Sequence, residues 1–291
     1  MQAQHHPLLP PALDVAALER AAARIADADA LVIAAGAGMG VDAGLPDFRG
    51  NAGFWKAYPA LAAEGTGFID IAAPAAFHAN ARRAWGFYGH RLALYRNTMP
   101  HAGYDVLRAW GERMRLGYFV FTSNVDGHFQ RAGFDPLRID ECHGSIHRLQ
   151  CLTPCSGARW SSTGLHPVVD AARCELLGPL PICPYCGGTA RPNILMFNDS
   201  SWLDAQRERQ ALRCRDWLAQ VRRPVVIEIG AGVNIPTVRH FAHRVVLRRG
   251  GSLIRINPHD SDLGGMASVG IAAGALHTLA AINAVLNRHR A

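Results

Sequence analysis

Short apolar runs that end in small or polar residues recur along the chain. LVIAAGAG (31–38), YFVFTSN (118–124), NILMF (193–197), PVVIEIGAG (224–232) and SLIRINP (252–258) share this pattern. Runs this brief and this rich in β-branched residues predict strands buried on both faces. Helical spacing lies between most of them, over Ala16–Ala28, Tyr104–Met114 and Asp204–Val221, with Asp14 placed to cap the first. Strands alternating with helices predict an α/β protein with a parallel sheet covered on both faces. Such sheets bind ligands at the carboxyl ends of their strands. The polar residues Gly36–Gly40, Thr122–Asp126, Gly230–Asn234 and Asn257 fall at those ends.

Two stretches break the alternation. Residues 51–100 carry helical signals and aromatics without a clear strand, and residues 149–190 are rich in Cys, Pro, Gly and Ser. Both read as insertions that form one smaller lobe: a helical insertion over 51–100 and a cysteine-bearing module over 149–190. The sheet domain is then assembled from 14–50, 101–148 and 191–291.

Composition narrows the functional classes. The 291 residues are 49% hydrophobic and 18% charged, an ordinary globular balance. No apolar run reaches the ~18–20 residues of a membrane span. The first residues, MQAQHHPLLPPALD, show no basic stretch followed by an apolar core, so a cytoplasmic protein is expected. The net charge is +7 and the pI about 9.3, and the basic residues are nearly all arginine, Lys56 being the one lysine. Arg82-Arg83, Arg222-Arg223 and Arg248-Arg249 are dispersed pairs rather than a stripe, which argues against a nucleic-acid partner. The same charge favours a small anionic ligand.

Two motifs sit at predicted strand ends, and a third lies at the entrance to the cysteine-rich insertion. GAGMGVDAGLPDFRG (36–50) follows a strand as a phosphate-binding glycine turn does. Gly36 and Gly38 admit a close pyrophosphate, with backbone amides around Ala37 free to point at it. The turn runs on into Asp47, Phe48 and Arg49 on a proline-stiffened loop, an aromatic wall and a cation beside a dinucleotide. In TSNVDGHFQRAG (122–133), Ser123, Asn124 and Asp126 end a strand, and a paired amide and carboxylate suit a carboxamide such as nicotinamide. An Asx turn capping a helix is the plainer reading of that motif. In ECHGSIH (141–147), His143 has the titration range of a base near neutral pH, with Cys142 and His147 as neighbours that compete for the assignment.

The seven cysteines are 142, 151, 155, 174, 183, 186 and 214. Cys151-x3-Cys155 and Cys183-x2-Cys186 form two knuckles of a zinc ribbon, four thiolates with no open position and hence a structural zinc. Cys174 is the obvious substitute ligand, while Cys142 and Cys214 read as buried thiols. In WGFYGHR (85–91), Tyr88 and Arg91 share a helix face and together can clamp a carboxylate; a solvated surface pair fits the spacing equally well.

Taken in order, these motifs resemble the sirtuin family over roughly residues 15–285. The resemblance rests on GAG…GLPDFRG, TSNVDG…QRAG, HGS, the two cysteine pairs, RPNILMF (191–197), GAG (230–232) and INP (256–258). It implies a Rossmann-like domain with a small zinc-binding lobe, NAD as co-substrate, and removal of acyl groups from protein lysines. Nicotinamide and O-acyl-ADP-ribose would be the products. By the same resemblance Asn124 and Asp126 line the nicotinamide pocket under Phe48, and His143 is the base that activates a ribose hydroxyl. Arg49, Gly230, Gly232 and Asn257 hold the rest of the dinucleotide, and an acyl-lysine peptide lies near Ile194, Phe197 and Asp199. Tyr88 and Arg91 fall where one sirtuin class recognises acidic acyl groups such as succinyl, which adds desuccinylation to deacetylation. Acylated proteins are the expected partners, and a monomer is expected. The chain departs from the family pattern at Gly40 (Ser), Ser123 (Gln), His128-Phe129 (Leu-His), Asn198-Asp199 (Gly-Glu) and Gly230-Ala231-Gly232 (Gly-Thr-Ser). Those departures motivate a second reading, mono-ADP-ribosyl transfer or NAD hydrolysis, and a third, an NAD-binding module without turnover.

Overall fold

The structure, a computed structural model, describes residues 13–47, 50–263 and 268–289. In chain order the strands are β1 (Ala30–Ala35), β2 (Tyr118–Thr122), β3 (Ile139–Glu141), β4 (Gly144–Cys151), β5 (Arg159–Ser161), β6 (Val169–Asp170), β7 (Glu175–Leu176), β8 (Ala190–Ile194), β9 (Pro224–Ile229), β10 (Ser252–Ile256) and β11 (Val269–Ile271). The helices are α1 (Val15–Ala26), α2 (Gly50–Ala57), α3 (Pro59–Ala63), α4 (Phe68–Ile71), α5 (Pro74–Asn97), α6 (Gly103–Arg113), α7 (His128–Arg131), α8 (Ala205–Leu218), α9 (Thr237–Arg249) and α10 (Ala275–Arg288).

Six strands form a parallel sheet in the order β11-β10-β9-β1-β2-β3. β1 lies in the middle, with strands that follow it directly on one side and the last strands of the chain on the other. That reversal creates a crevice at the carboxyl ends of β1 and β9. The strands are buried on both faces, as their apolar runs require; Glu228 in β9 and Arg255 in β10 interrupt those runs and pair with each other at 2.6 Å. Leu31, Ile33 and Ala35 of β1 pack into one core with Val225, Ile227, Ile229, Ile254 and Ile256, while Val32 and Ala34 face the other core with Phe119, Phe121, Val226 and Leu253. Each large aliphatic side chain so buried contributes about 1.5–3 kcal/mol. α1, α6 and α10 cover the first face and α9 the second. Asp14 caps α1, its carboxylate accepting from the Ala16 amide at 2.9 Å.

Both insertions share a third core. Phe54, Tyr58, Leu61, Phe77, Trp85, Phe87 and Tyr88 from 51–100 pack with Ile146, Leu149, Leu152, Leu176, Ile194 and Met196. Gly86 is what lets α5 approach the cysteine-bearing segment, since a Cβ there would lie 2.0 Å from the Cys174 carbonyl oxygen. The Trp85 indole donates to the Ala190 carbonyl at 2.8 Å.

The structure corrects one strand and adds six, β3 and β11 in the parallel sheet and β4 to β7 outside it. NILMF does not join the parallel sheet. Its first residues end β8, which runs antiparallel to β4 in a separate sheet ordered β5-β4-β8. An apolar run of five fits either sheet, and only its pairing partner decides between them. β3 and β11, three residues each, were too short to stand out from the flanking polar residues. No helix among the described residues is long and apolar enough to cross a membrane.

Candidate active site and cysteine cluster

One row of paired residues crosses the large sheet: Ile271, Ile256, Ile229, Ala35, Thr122 and Glu141. The strands therefore stop at one level. Chain order then brings Asn257, Gly230, Gly36, Ser123 and Cys142-His143 to a single edge. That alignment, set by register alone, gathers the three strand-end motifs.

The two glycine turns meet at the crevice. Gly36 donates to the Ile229 carbonyl at 2.9 Å and Gly38 to the Gly230 carbonyl at 3.1 Å. A Cβ on Gly36 would lie 2.7 Å from the Gly230 oxygen, and one on Gly38 2.6 Å from the Gly230 Cα. Gly230 itself has φ +59°, which favours glycine. These glycines are needed because two backbones touch. The expectation that their amides are free for a phosphate is thus corrected at Gly36 and Gly38, whose N–H groups serve the sheet. Ala37 is exposed at the start of a 3₁₀ turn over Ala37–Ala43, and Gly232 faces open space. Gly40 packs on Leu45, whose Cδ1 would lie 3.0 Å from a Cβ there. Asp47 is half-buried on the loop that follows, and Phe48 and Arg49 lie outside the described residues.

Asn257 is fully buried and turned inward. Its Nδ2 donates to the Ala231 carbonyl at 3.0 Å, and its Oδ1 accepts from the His259 and Asp260 amides, both at 3.1 Å. The side chain therefore shapes the 230–232 turn.

The 122–128 segment leaves β2 and folds back on the first glycine turn. Thr122 Oγ1 donates to the Ala35 carbonyl at 3.0 Å and accepts from the Asn124 amide at 3.0 Å. Asn124 Nδ2 donates to the Gly36 carbonyl at 3.0 Å, joining the first two motifs. The Ser123 amide donates to the Ala35 carbonyl at 3.1 Å. Asp126 Oδ1 accepts from the His128 amide at 2.8 Å at the start of α7, so the plain Asx-turn reading holds for its side chain. Asn124 and Asp126 are both buried, 9% and 5% exposed, beyond the end of the strand rather than on it.

His143 follows β3 and remains half-buried. Burial first, then the nearby Arg207 charge, lowers its pKa, so the ring is neutral at physiological pH and able to take a proton. Its carbonyl accepts from the Leu195 amide at 2.9 Å, which fixes the residue between the two lobes. The neighbours separate cleanly. His147 Nε2 donates to the Asp126 carbonyl at 2.8 Å. Cys142 is buried, which pushes its thiol pKa far up and leaves it inert. The sequence reading missed Glu141. Buried two residues before His143, its carboxyl is pushed up to about 7 by burial, against hydrogen bonds from Gln130 and Gln210. The alternation of Glu141 and His143 was its only signal.

Tyr88 and Arg91 are not a solvated pair. Tyr88 is 1% exposed and stacked on Phe77 at 5.6 Å, and burial raises its phenol pKa, keeping it a neutral donor. The Arg91 guanidinium lies 5.2 Å from the Phe87 ring and 5.3 Å from the Tyr95 ring, and donates to the Tyr95 hydroxyl at 2.9 Å and 2.5 Å. Tyr95, one turn beyond Arg91, belongs to this group and was also missed.

Ile194 ends β8 and is buried; Phe197 is half-buried, packs edge-on to Phe68 at 5.7 Å and donates its amide to the Ala72 carbonyl. Asn198 has φ +52°, a region glycine or asparagine enters most readily, so Asn serves where the sirtuin pattern has Gly. Asp199 forms a fully buried bidentate pair with Arg191, at 2.7 and 2.9 Å. Asn198 and Asp199 thus suit the loop conformation they occupy.

The four cysteines expected to bind metal converge. The Sγ atoms of Cys151, Cys155, Cys183 and Cys186 all lie within 4.8 Å of one another. Cys151 and Cys186 are 3.6 Å apart, Cys155 and Cys183 3.7 Å. A tetrahedral zinc with ~2.3 Å bonds to sulfur separates its ligands by about 3.8 Å, so the cluster fits a structural zinc. The Cys183 amide donates to the Gly188 carbonyl, and the Gly187 amide to the Cys183 carbonyl, the tight turn that aims the second pair. Cys174 is not a ligand; it is buried at φ +52° beside Gly86. Cys183→Ser should lower bound zinc from about one per chain towards none, read by metal analysis after dialysis, and destabilise the smaller lobe. Full retention of zinc would show that the four sulfurs are not the ligands.

Comparison with known proteins bears on this arrangement. The Sir2 family profile matches residues 36–220. An NAD-dependent protein deacylase of Thermococcus kodakarensis is 30% identical over 253 residues, covering 87% of this chain and 89% of the relative. An NAD-dependent protein deacylase of Thermus thermophilus is 28% identical over 270 residues, covering 90% and 92%. A crystal structure of a Sir2 homologue–NAD complex superposes with a TM-score of 0.69 at 25% identity, covering 99% of each chain. With the parallel sheet, the strand-end motifs and the sulfur cluster in one chain, and the profile matched over more than half its length, this protein belongs to the Sir2 family.

Proposed function

We propose that the protein is an NAD-dependent lysine deacylase that acts on acylated proteins. The observation that carries this reading is a neutral His143 held at the same sheet edge as Asn124 and Asp126, beside the crevice at the ends of β1 and β9. NAD supplies an activated glycosidic bond and nicotinamide as leaving group. The protein's residues do the rest. Asn124 and Asp126 border the pocket for the carboxamide. His143 takes a proton from a ribose hydroxyl, which requires an unprotonated imidazole. Gly230–Gly232, shaped by Asn257, borders the remainder of the dinucleotide. The peptide adds as a strand beside β8, an edge strand of its sheet, near Leu195. Incubation with NAD and an acetyl-lysine peptide should release nicotinamide and O-acetyl-ADP-ribose in equal amounts. Nicotinamide release independent of the peptide, or ADP-ribose attached to protein, would replace this reading with ADP-ribosyl transfer or NAD hydrolysis.

The acyl group belongs to the same proposal. Arg91, ringed by Phe87, Tyr88 and Tyr95, is a half-buried cation suited to an acidic acyl chain. A charge-assisted hydrogen bond of this kind is worth ~1.5–3 kcal/mol. Arg91→Ala should therefore lower kcat/KM on a succinyl peptide by about 10–100-fold, with far less effect on the acetyl peptide. Equal losses on both would remove the acidic-acyl reading.

A further inference from the structure

A second cavity lies apart from the strand-end site. It encloses about 520 Å³ and is lined by Arg96, His147, Arg148, Ser161, Thr163 and His166. All six are basic or hydroxyl-bearing. Arg96, near the end of α5, forms a fixed side of it: Nη1 donates to the Leu165 carbonyl at 2.6 Å and Nη2 to the Ser162 carbonyl at 2.7 Å. Those partners orient the guanidinium without neutralising it. Arg148 is exposed on β4, directly opposite Ser161 on β5, so the two share one face of the sheet. Neither arginine has a carboxylate partner among the described residues. The pairing register of β4 with β8 shifts between Ser145 and Leu149. That irregularity interrupts the usual alternation and lets the consecutive residues His147 and Arg148 both border the cavity. Across from Arg148 the Ser161 and Thr163 hydroxyls bond each other at 2.6 Å, which leaves one hydroxyl proton of the pair for a ligand.

His147, its pKa lowered by burial and its Nε2 proton given to the Asp126 carbonyl, only borders the concavity. Two guanidiniums without countercharge and the neighbouring hydroxyls attract an anion. Their number and spread exceed what a halide or a single carboxylate can satisfy. A phosphoryl group, with up to two charges and three acceptor oxygens, can engage the Arg148 fork, the N–H groups that Arg96 keeps beyond its two carbonyl bonds, and the remaining hydroxyl proton together. The volume falls in the range of small-molecule sites and leaves room for a sugar-sized group behind the phosphoryl. We propose that this cavity is a binding site for a phosphoryl anion, carried on a small phosphate monoester or supplied as free phosphate. The site is linked to the first one by hydrogen bonds that include His147 Nε2 to the Asp126 carbonyl at 2.8 Å and the Ile146 amide to the Val125 carbonyl at 3.0 Å. An effect of the anion on nicotinamide exchange rests on the function proposed above; binding itself does not.

The test is isothermal titration of the full chain, saturated with NAD to occupy any dinucleotide site, with inorganic phosphate and separately with ribose 5-phosphate. Both probes should bind saturably. Tighter binding of the ester identifies a phosphorylated metabolite as the occupant, and equal affinity identifies free phosphate. Arg148→Gln combined with His166→Gln removes two exposed side chains and should weaken both probes about tenfold or more, while Arg148→Lys retains most of the affinity. Circular dichroism checks that the double variant folds. Absence of saturable binding in the wild type, or unchanged affinity in the folded double variant, overturns the proposal. Failure of deacylase activity with phosphate binding intact would count against the function and leave this site standing.

Discussion

Replacing His143 by Ala should lower kcat/KM for deacylation by about 10²–10⁴-fold, the usual contribution of a positioned general base. Nicotinamide exchange should fall less, because the glycosidic bond breaks before the ribose hydroxyl must lose its proton. The comparison of the two rates in one variant separates a base from a merely structural histidine, which would depress both alike. The pH dependence carries a sign. Burial and the Arg207 charge hold the His143 pKa below its ordinary value of ~6.5. The active, unprotonated ring is therefore present above that lowered pKa and is lost as pH falls through it. The acid limb of the kcat/KM profile should have its midpoint below ~6.5. Substituting Arg207→Gln removes a neighbouring positive charge and should move that midpoint upward. A midpoint that stays put would show that burial alone sets it, and a midpoint above the ordinary value would place His143 in a different environment from the one described.

The largest stability effect is expected at Asp199. Its carboxylate and the Arg191 guanidinium are both fully buried, and the same carboxylate accepts from the Met196 and Ser201 amides at 3.2 and 3.1 Å. Asp199→Ala leaves a guanidinium uncompensated in the interior and, with the Ser201 hydroxyl, five donor bonds without their acceptor. Breaking one side of such a pair costs ~3–5 kcal/mol, measurable as a lower urea midpoint at unchanged slope. Replacing both partners, Arg191→Met with Asp199→Leu, should cost much less, since it removes the stranded charge. The single variant should also raise KM for the acyl peptide, because residues 194–199 border its proposed path. A loss below about 1 kcal/mol in the single variant would mean that the pair is solvated and does not hold this loop.

Legibility differed between elements for identifiable reasons. β1, β2, β9 and β10 stood out because burial on both faces demands apolar runs, which few other elements require. β3 and β11 contribute three residues each, less than one repeat of any pattern. NILMF carried a true strand signal and a false address. Its residues satisfy either sheet, and membership followed from antiparallel pairing with β4, a partner some forty residues away. The cysteine cluster was readable from spacing, because each knuckle is local and zinc chemistry dictates the remainder. Tyr88 and Arg91 were ambiguous from spacing, since one helix face can meet solvent or a core equally well. Trp85, Phe77 and the glycine-mediated approach of α5 to Cys174 decided for the core.

What the sequence determined by itself was the chemistry available: a histidine base, an amide and a carboxylate at strand ends, four thiolates in two knuckles, and a buried-strand rhythm that allows only a covered parallel sheet. Tertiary structure alone decided that register aligns six strand ends into one edge, that Gly38 faces Gly230 rather than a ligand, that Asn257 turns inward, and that Arg148 and Arg96 share a cavity. The physical reason is range. Side-chain type and periodicity act within a few residues, whereas these outcomes depend on contacts between segments whose partners are chosen only when the chain closes on itself.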